Sequence, residues 1–193
     1  MTDERIERMK QVLARRQPDL TVVFEDVDDP HNISACLRTC DSVGVREVHI
    51  ISSVEKKLMK LGKKSSSSAT KWVEIHHHDS TTQCLTLLRE SGFNIFSTRI
   101  SAPSHSLFDL PLTGPVAFVF GNEHDGVSEE ATALSDQNFT IPQMGMIRSL
   151  NISVACAVAL YETLRQRLTA GAYAHPKMRE QELELLFQKW VNK

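Results

Sequence analysis

An α/β domain built on a mainly parallel sheet is the fold class that this sequence predicts, and three observations predict it. Short apolar runs rich in β-branched and aromatic residues alternate with helical periodicities along most of the chain. A length of 193 residues suits one domain with short terminal appendages. A composition of 41% hydrophobic and 24% charged residues is that of an ordinary globular protein, large enough to bury a core without staples. A parallel sheet of this kind is covered by helices on both faces.

Taken in order, residues 3–16 read as a charged amphipathic helix with Ile6, Met9 and Leu13 on one face. Strands are expected at Leu20–Phe24, Val48–Ile51, Val73–His76, Ile95–Thr98, Val116–Phe120 and Phe139–Ile141. Between them, helices are expected at about Asn32–Val43, Thr81–Ser91, Ser128–Leu134 and Asn151–Thr169. Gly44 and Gly92 read as helix stops. Ser128 reads as an N-cap, with Glu129 and Glu130 well placed against the helix dipole. Residues 177–191 form a last helix, in which Leu183, Leu186, Phe187 and Trp190 share a stripe. The implied organisation is a basic N-terminal helix over 1–19, a domain over 20–170 and a C-terminal amphipathic helix over 171–193. Ser65–Ser68, beside a lysine cluster, suggests a mobile loop.

No stretch approaches the roughly 20 apolar residues needed to cross a bilayer. The polar N-terminus MTDERIERMK is unlike a signal peptide, so a cytoplasmic address is expected. The cysteines Cys36, Cys40, Cys84 and Cys156 form no CxxC pair and sit in apolar surroundings, which suggests buried, reduced thiols. No metal is expected: the run His76-His77-His78-Asp79 sends adjacent side chains to opposite faces of a strand. Net charge is −2, yet two segments are basic. One is the first sixteen residues, with Arg5, Arg8, Lys10, Arg15 and Arg16. The other runs from Val54 to Trp72, with Lys56, Lys57, Lys60, Lys63, Lys64 and Lys71 against Glu55. Such patches either track a phosphate backbone or are solvated faces.

The sequence holds no GxGxxG, no GxxxxGK[ST] and no GxSxG, which removes the dinucleotide, P-loop and nucleophile-elbow readings. Three other blocks carry candidate chemistry. The first runs from Asp29 to Cys40; Asn32 or Ser34 caps its helix, and Arg38 either snorkels at the sheet edge or faces a phosphate. The second, Phe118 to Gly126, takes a buried strand into a polar loop bounded by glycines; it is a ligand loop or a simple strand-to-helix turn. The third, Ile141 to Ala155, leads from a strand through Met144 and Met146 to Ser149, Leu150 and Asn151 at a helix start. Alone, its Ser-Leu-Asn is a capping signal.

Together and in this order, the three blocks resemble the signature motifs of the SPOUT superfamily, over about residues 20–170. They are most similar to its RNA ribose 2'-O-methyltransferases. The segment Leu13-Ala14-Arg15-Arg16-Gln17-Pro18-Asp19-Leu20-Thr21 resembles the N-terminal segment of the bacterial tRNA (guanosine-18) 2'-O-methyltransferases. Many of those relatives carry a longer C-terminal extension than the single helix seen here.

The resemblance implies a homodimer, a deep trefoil knot in the C-terminal part of the domain, and methyl transfer from S-adenosylmethionine to a ribose 2'-hydroxyl of tRNA. It implies that Thr98, Gly121, Asn122, Ile141, Met144, Ser149 and Leu150 hold the cofactor. Arg38 is implied as the catalytic residue, contributed across the dimer interface and oriented by Asn32, with Glu123, Ser149 and Asn151 shaping the ribose pocket. Because arginine stays protonated, Arg38 anchors a phosphate and stabilises the developing alkoxide rather than acting as a base. Arg8, Arg15, Arg16, His31, Lys56, Lys60 and Lys63 are the expected RNA contacts. Methylation of another tRNA or ribosomal RNA nucleotide, and non-catalytic RNA binding on the same scaffold, are the alternatives.

Overall fold

A computed structural model describes residues 1–52, 69–99 and 103–193. The expected RNA contacts Lys56, Lys60 and Lys63, with Lys57, Lys64 and Ser65–Ser68, lie outside the described residues. In chain order the helices and strands are α1 (Asp3–Ala14), β1 (Leu20–Glu25), α2 (Pro30–Ser42), β2 (Glu47–Ile51), β3 (Glu74–His78), α3 (Thr81–Glu90) and β4 (Asn94–Ser97). There follow β5 (His105–Ser106), β6 (Val116–Phe120), α4 (Glu129–Leu134), β7 (Gln137–Thr140), α5 (Ile152–Thr169) and α6 (Glu180–Val191).

The seven strands form one sheet in the order β3-β2-β1-β6-β4-β7-β5, with every pairing parallel. β1 and β6 lie at its centre, and all their residues are buried. That explains the unbroken apolar runs: a strand covered on both faces has no polar side to alternate with. Leu20, Val22, Phe24, Phe118 and Phe120 face a core closed by Leu37 and Cys40 of α2 and Cys156 and Leu160 of α5. On the opposite face, Val23, Ile51, Ile95 and Val119 meet Cys84, Leu85 and Leu88 of α3 and Ala131 of α4. All four cysteines are buried and unpaired by disulfides, as expected.

Several element boundaries differ from expectation for local reasons. α2 begins at Pro30, whose fixed φ suits the first helical turn, and Asp29 caps it by accepting from the His31 amide. Asn32 and Ser34 therefore lie inside the helix rather than at its cap. At its other end Gly44, at φ +87°, makes the left-handed turn, and a Cβ there would lie 2.6 Å from the Arg15 carbonyl oxygen. The third strand starts one residue later than expected and the last expected one two residues earlier, while the two-residue β5 is too short to leave a periodic signal.

α1 and α6 pack on each other through Met9, Leu13 and Trp190, with Trp72 against Trp190 at a ring distance of 4.9 Å. Here one expectation is corrected. Arg16, expected among the RNA contacts, is fully buried, lies over Trp190, donates to the carbonyls of Val45 and Trp72, and pairs with Asp41. Lying just past the end of α1, it serves as a buried pin, whereas Arg8 and Arg15 are exposed. A second buried arginine, Arg167 of α5, donates to Gln17 Oε1, Asp19 Oδ1 and the backbone oxygens of Leu112, Asp19 and Gly114. Lys177 completes that node at 2.6 Å from Asp19. No helix among the described residues is long and apolar enough to cross a membrane.

Candidate active site

In a parallel sheet every strand points the same way, so the loops after its central strands gather at one edge. β1 feeds the first block, β6 the second and β7 the third. Just past β1, Asp26 takes a left-handed φ of +49°. A short polar side chain tolerates this better than a bulky one.

The second block turns back on itself. Asn122 Oδ1 accepts from the amides of His124 and Asp125 at 2.8 and 2.6 Å, and Asn122 bridges Gly126. A Cβ on Gly121 would lie 1.9 Å from the Gly126 carbonyl oxygen, so this glycine is demanded by the loop's own backbone. Buried Glu25, at the end of β1, fastens the far side of the loop by accepting from the Ser128 amide and hydroxyl and from the Thr81 hydroxyl. The periodicity passed over Glu25; its signal was an acid closing an otherwise apolar strand.

The three blocks meet in one chain of hydrogen bonds. Asn32 Nδ2 donates to Glu123 Oε1 at 2.6 Å, and Asn151 Nδ2 donates to Asn32 Oδ1 at 3.1 Å. Asn151 also caps α5, its Oδ1 accepting from the Ser153 amide and hydroxyl at 2.8 and 2.6 Å. The capping reading of Asn151 and its functional reading therefore hold together. Within the chain, Asn32 is bonded to Glu123 and Asn151 and not to Arg38. Arg38 is exposed, on a stripe of α2 with His31, Ala35 and Ser42, and makes no hydrogen bond or ion pair among the described residues.

Of the expected cofactor residues, Thr98 is tied to β6, its amide and hydroxyl both donating to the Val119 carbonyl. Asn138 holds the next residue from both sides, accepting from the Arg99 amide and donating to its carbonyl, each at 2.7 Å. Gly121 is buried, Asn122 and Ile141 are half-buried, and Ser149 is exposed with no hydrogen bond among the described residues. Met144, at 95% exposure, and Leu150, at 37%, lie open on the loop after β7. The same loop exposes Met146 and Ile147, and α5 exposes Val154, Tyr161 and Leu168 at seven-residue spacing. That apolar surface adjoins the Arg38 stripe, because Ser42 Oγ and Tyr161 Oη are 3.4 Å apart. Heptad spacing of Val154, Tyr161 and Leu168 was the signal that could have singled out Tyr161.

Comparison with known proteins agrees with this arrangement along the whole chain. The chain is 41% identical over 192 residues to the tRNA (guanosine(18)-2'-O)-methyltransferase of Thermus thermophilus, covering 100% of this chain and 98% of that protein. It is 39% identical to the protein of the same name from Escherichia coli K12, covering 97% of this chain and 82% of that one. The crystal structure of the Aquifex aeolicus TrmH/SpoU tRNA modifying enzyme superposes with a TM-score of 0.91 at 37% identity, covering 98% of this chain and 96% of that one. Residues 19–161, which hold the sheet and all three converging blocks, match the model of one family, and the chain belongs to it: the SpoU rRNA Methylase family.

Proposed function

We propose that this chain transfers a methyl group from S-adenosylmethionine to the ribose 2'-oxygen of guanosine-18 in the tRNA D-loop. The observation that carries the reading is the convergence of Asn32, Glu123 and Asn151, separated by 91 and 119 residues, on one hydrogen-bonded chain beside the ends of the central strands. The full-length likeness to proteins named for guanosine-18 supports the target nucleotide.

The residues present fit the cofactor. An adenosine with no phosphate needs apolar cover and backbone hydrogen bonds rather than a glycine-rich turn. Ile141, Met144 and Leu150 offer that cover, and the backbone around Thr98, Gly121, Asn122 and Ser149 offers the hydrogen bonds. When bound, S-adenosylmethionine supplies a methyl group already activated on a sulfonium. The protein's task is to align a weakly acidic hydroxyl and stabilise the charge it develops. Glu123, Ser149 and Asn151 shape the ribose pocket, and Asn32 holds Glu123 against Asn151. Arg38 anchors an RNA phosphate and stabilises the alkoxide, while the proton leaves to a phosphate oxygen or to water. Arg8, Arg15 and His31, all exposed, contact the RNA backbone.

The protein works as a homodimer closed over the apolar surface of Met144, Met146, Ile147, Val154, Tyr161 and Leu168, a reading supported by their exposure on one loop and one helix. Arg38, beside that surface, then reaches the partner's site. Family resemblance supports a trefoil knot through the loops after β6 and β7. The domain over 20–170 does the chemistry, the basic N-terminal helix over 1–19 contacts RNA, the C-terminal helix over 171–193 packs against it, and the work is done in the cytoplasm.

The test is methyl transfer from labelled S-adenosylmethionine to an unmodified tRNA transcript, followed by nucleoside mapping. Label in 2'-O-methylguanosine of the D-loop, lost when guanosine-18 is replaced, is the expected result; label elsewhere refutes the target. Arg38→Ala lowers turnover at saturating RNA at least about 100-fold, the scale of losing one transition-state charge contact. Near-full turnover refutes its role.

A further inference from the structure

The outer edge of the sheet holds chemistry that methyl transfer does not use. His49 of β2 is paired with His76 of β3, and Ile51 with His78, so the side chains of His49, His76 and His78 share one face while His77 points to the other. α3 lies over that face and sends Cys84 into it, fully buried. One ligand atom from each of His49, His78 and Cys84 lies within 4.8 Å of the others. His49 Nδ1 and His78 Nε2 are 2.9 Å apart, and His49 Nε2 is buried with no hydrogen-bond partner among the described residues, on a residue only 4% exposed. The nitrogens that face each other, His49 Nδ1 and His78 Nε2, are the pair an ion would take in place of their mutual hydrogen bond.

We propose that His49, His78 and Cys84 form a binding site for a borderline-soft divalent ion, zinc by ligand chemistry, that clamps β2, β3 and α3 together. Two imidazoles and one thiolate are the donors such an ion selects. Zinc–nitrogen bonds of about 2.0–2.1 Å and a zinc–sulfur bond of about 2.3 Å set tetrahedral ligand atoms roughly 3.3–3.7 Å apart, inside the span found here. Binding separates the two imidazoles slightly and releases the thiol proton to water. The half-buried edge of His78 leaves a fourth position for water. Next to it, His76 stacks on His49 at 5.2 Å and lies 3.5 Å from Glu47, which sets carboxylate charge behind the cation. Its three ligands lie on β2, β3 and α3, none of which carries a residue of the three blocks at the proposed methyl-transfer centre.

The experiment uses the full-length protein freed of metal by dialysis against a chelator and then titrated with Co(II) and Zn(II). The expected result is one Co(II) per chain with tetrahedral visible bands and a thiolate-to-cobalt charge-transfer band, displaced by Zn(II), with a higher Tm in Zn(II) than in chelator. Cys84→Ser removes the charge-transfer band. His78→Gln, at a half-exposed position that tolerates substitution, weakens Zn(II) binding at least about tenfold. Absence of Co(II) and Zn(II) uptake by the folded wild type overturns the proposal. So does Co(II) binding without the thiolate band, or binding that His78→Gln leaves unchanged.

Discussion

Removing Asn32 and Glu123 singly and together tests whether the chain of hydrogen bonds across the three blocks is a working unit. Asn32 donates to a carboxylate at 2.6 Å and accepts from Asn151 at 3.1 Å. A hydrogen bond to a charged group contributes about 1.5–3 kcal/mol when buried, and solvent at this exposed site reduces it to about 1 kcal/mol. Each 1.4 kcal/mol or so is tenfold in kcat/KM, so Glu123→Ala, which loses the charged bond, lowers it about fivefold. Asn32→Ala loses both bonds and lowers it roughly 10–30-fold. If the two residues act through each other, the double variant is no worse than Asn32→Ala, with a coupling energy of about 1 kcal/mol. The assay is kcat/KM for methyl transfer to one tRNA transcript at fixed salt, with Tm measured alongside to exclude unfolding. Additive losses, which would put the double variant about 100-fold down, refute the coupling.

Three further outcomes follow from buried groups. Arg167→Met leaves the acceptors on Gln17, Asp19, Leu112 and Gly114 without their donor. It costs about 3–5 kcal/mol, a Tm drop of roughly 6–20 °C; a loss under about 1 kcal/mol in urea unfolding contradicts the reading. Gly121→Ala forces a Cβ against the Gly126 carbonyl, costs about 1–3 kcal/mol and lowers activity more than stability; unchanged kcat/KM contradicts it. In metal-free protein, burial first, and then the neighbouring His78 and His76, lowers the His49 pKa from 6.5 to about 4. Between those values the unfolded chain binds the extra proton, so the contribution is fully present above pH 6.5 and is lost as pH falls towards 4. The loss is up to about 3 kcal/mol, read as the pH-dependent difference between wild type and His49→Gln; parallel curves contradict it.

Much of the fold was legible because burial writes itself into periodicity. β1 and β6 read as unbroken apolar runs because both faces are covered, and α2 and α3 announced themselves by one apolar side. The strand order was not legible, since local pattern carries no record of which distant strand pairs with which. Nor was the fate of the Arg15-Arg16 pair. Two adjacent arginines look alike in sequence, and only the position of Asp41 and Trp190 makes one of them a buried pin. At the site, the blocks were legible as loops after strands, but the partner of Asn32 was not. Asp29 and Pro30 took over capping, which released the Asn32 amide to reach Glu123. The histidine run looked unfit for an ion because the strand alternates; yet alternation leaves His76 and His78 on one face, where His49, nearly thirty residues earlier, joins them.

The Arg167 node also has a consequence for how the chain emerges from a ribosome. Its bonds to Gln17 and Asp19 close loops of 150 and 148 residues, and the central pairing of β1 with β6 waits until residue 120 has been made. Early in synthesis β1 has only β2 beside it, with β3 beyond, and its other edge stands bare, an open template for a foreign strand. Contacts this distant in sequence make folding slow. The nascent protein therefore depends on the timing of translation, or on a chaperone shielding that edge, until β6 arrives to cover it.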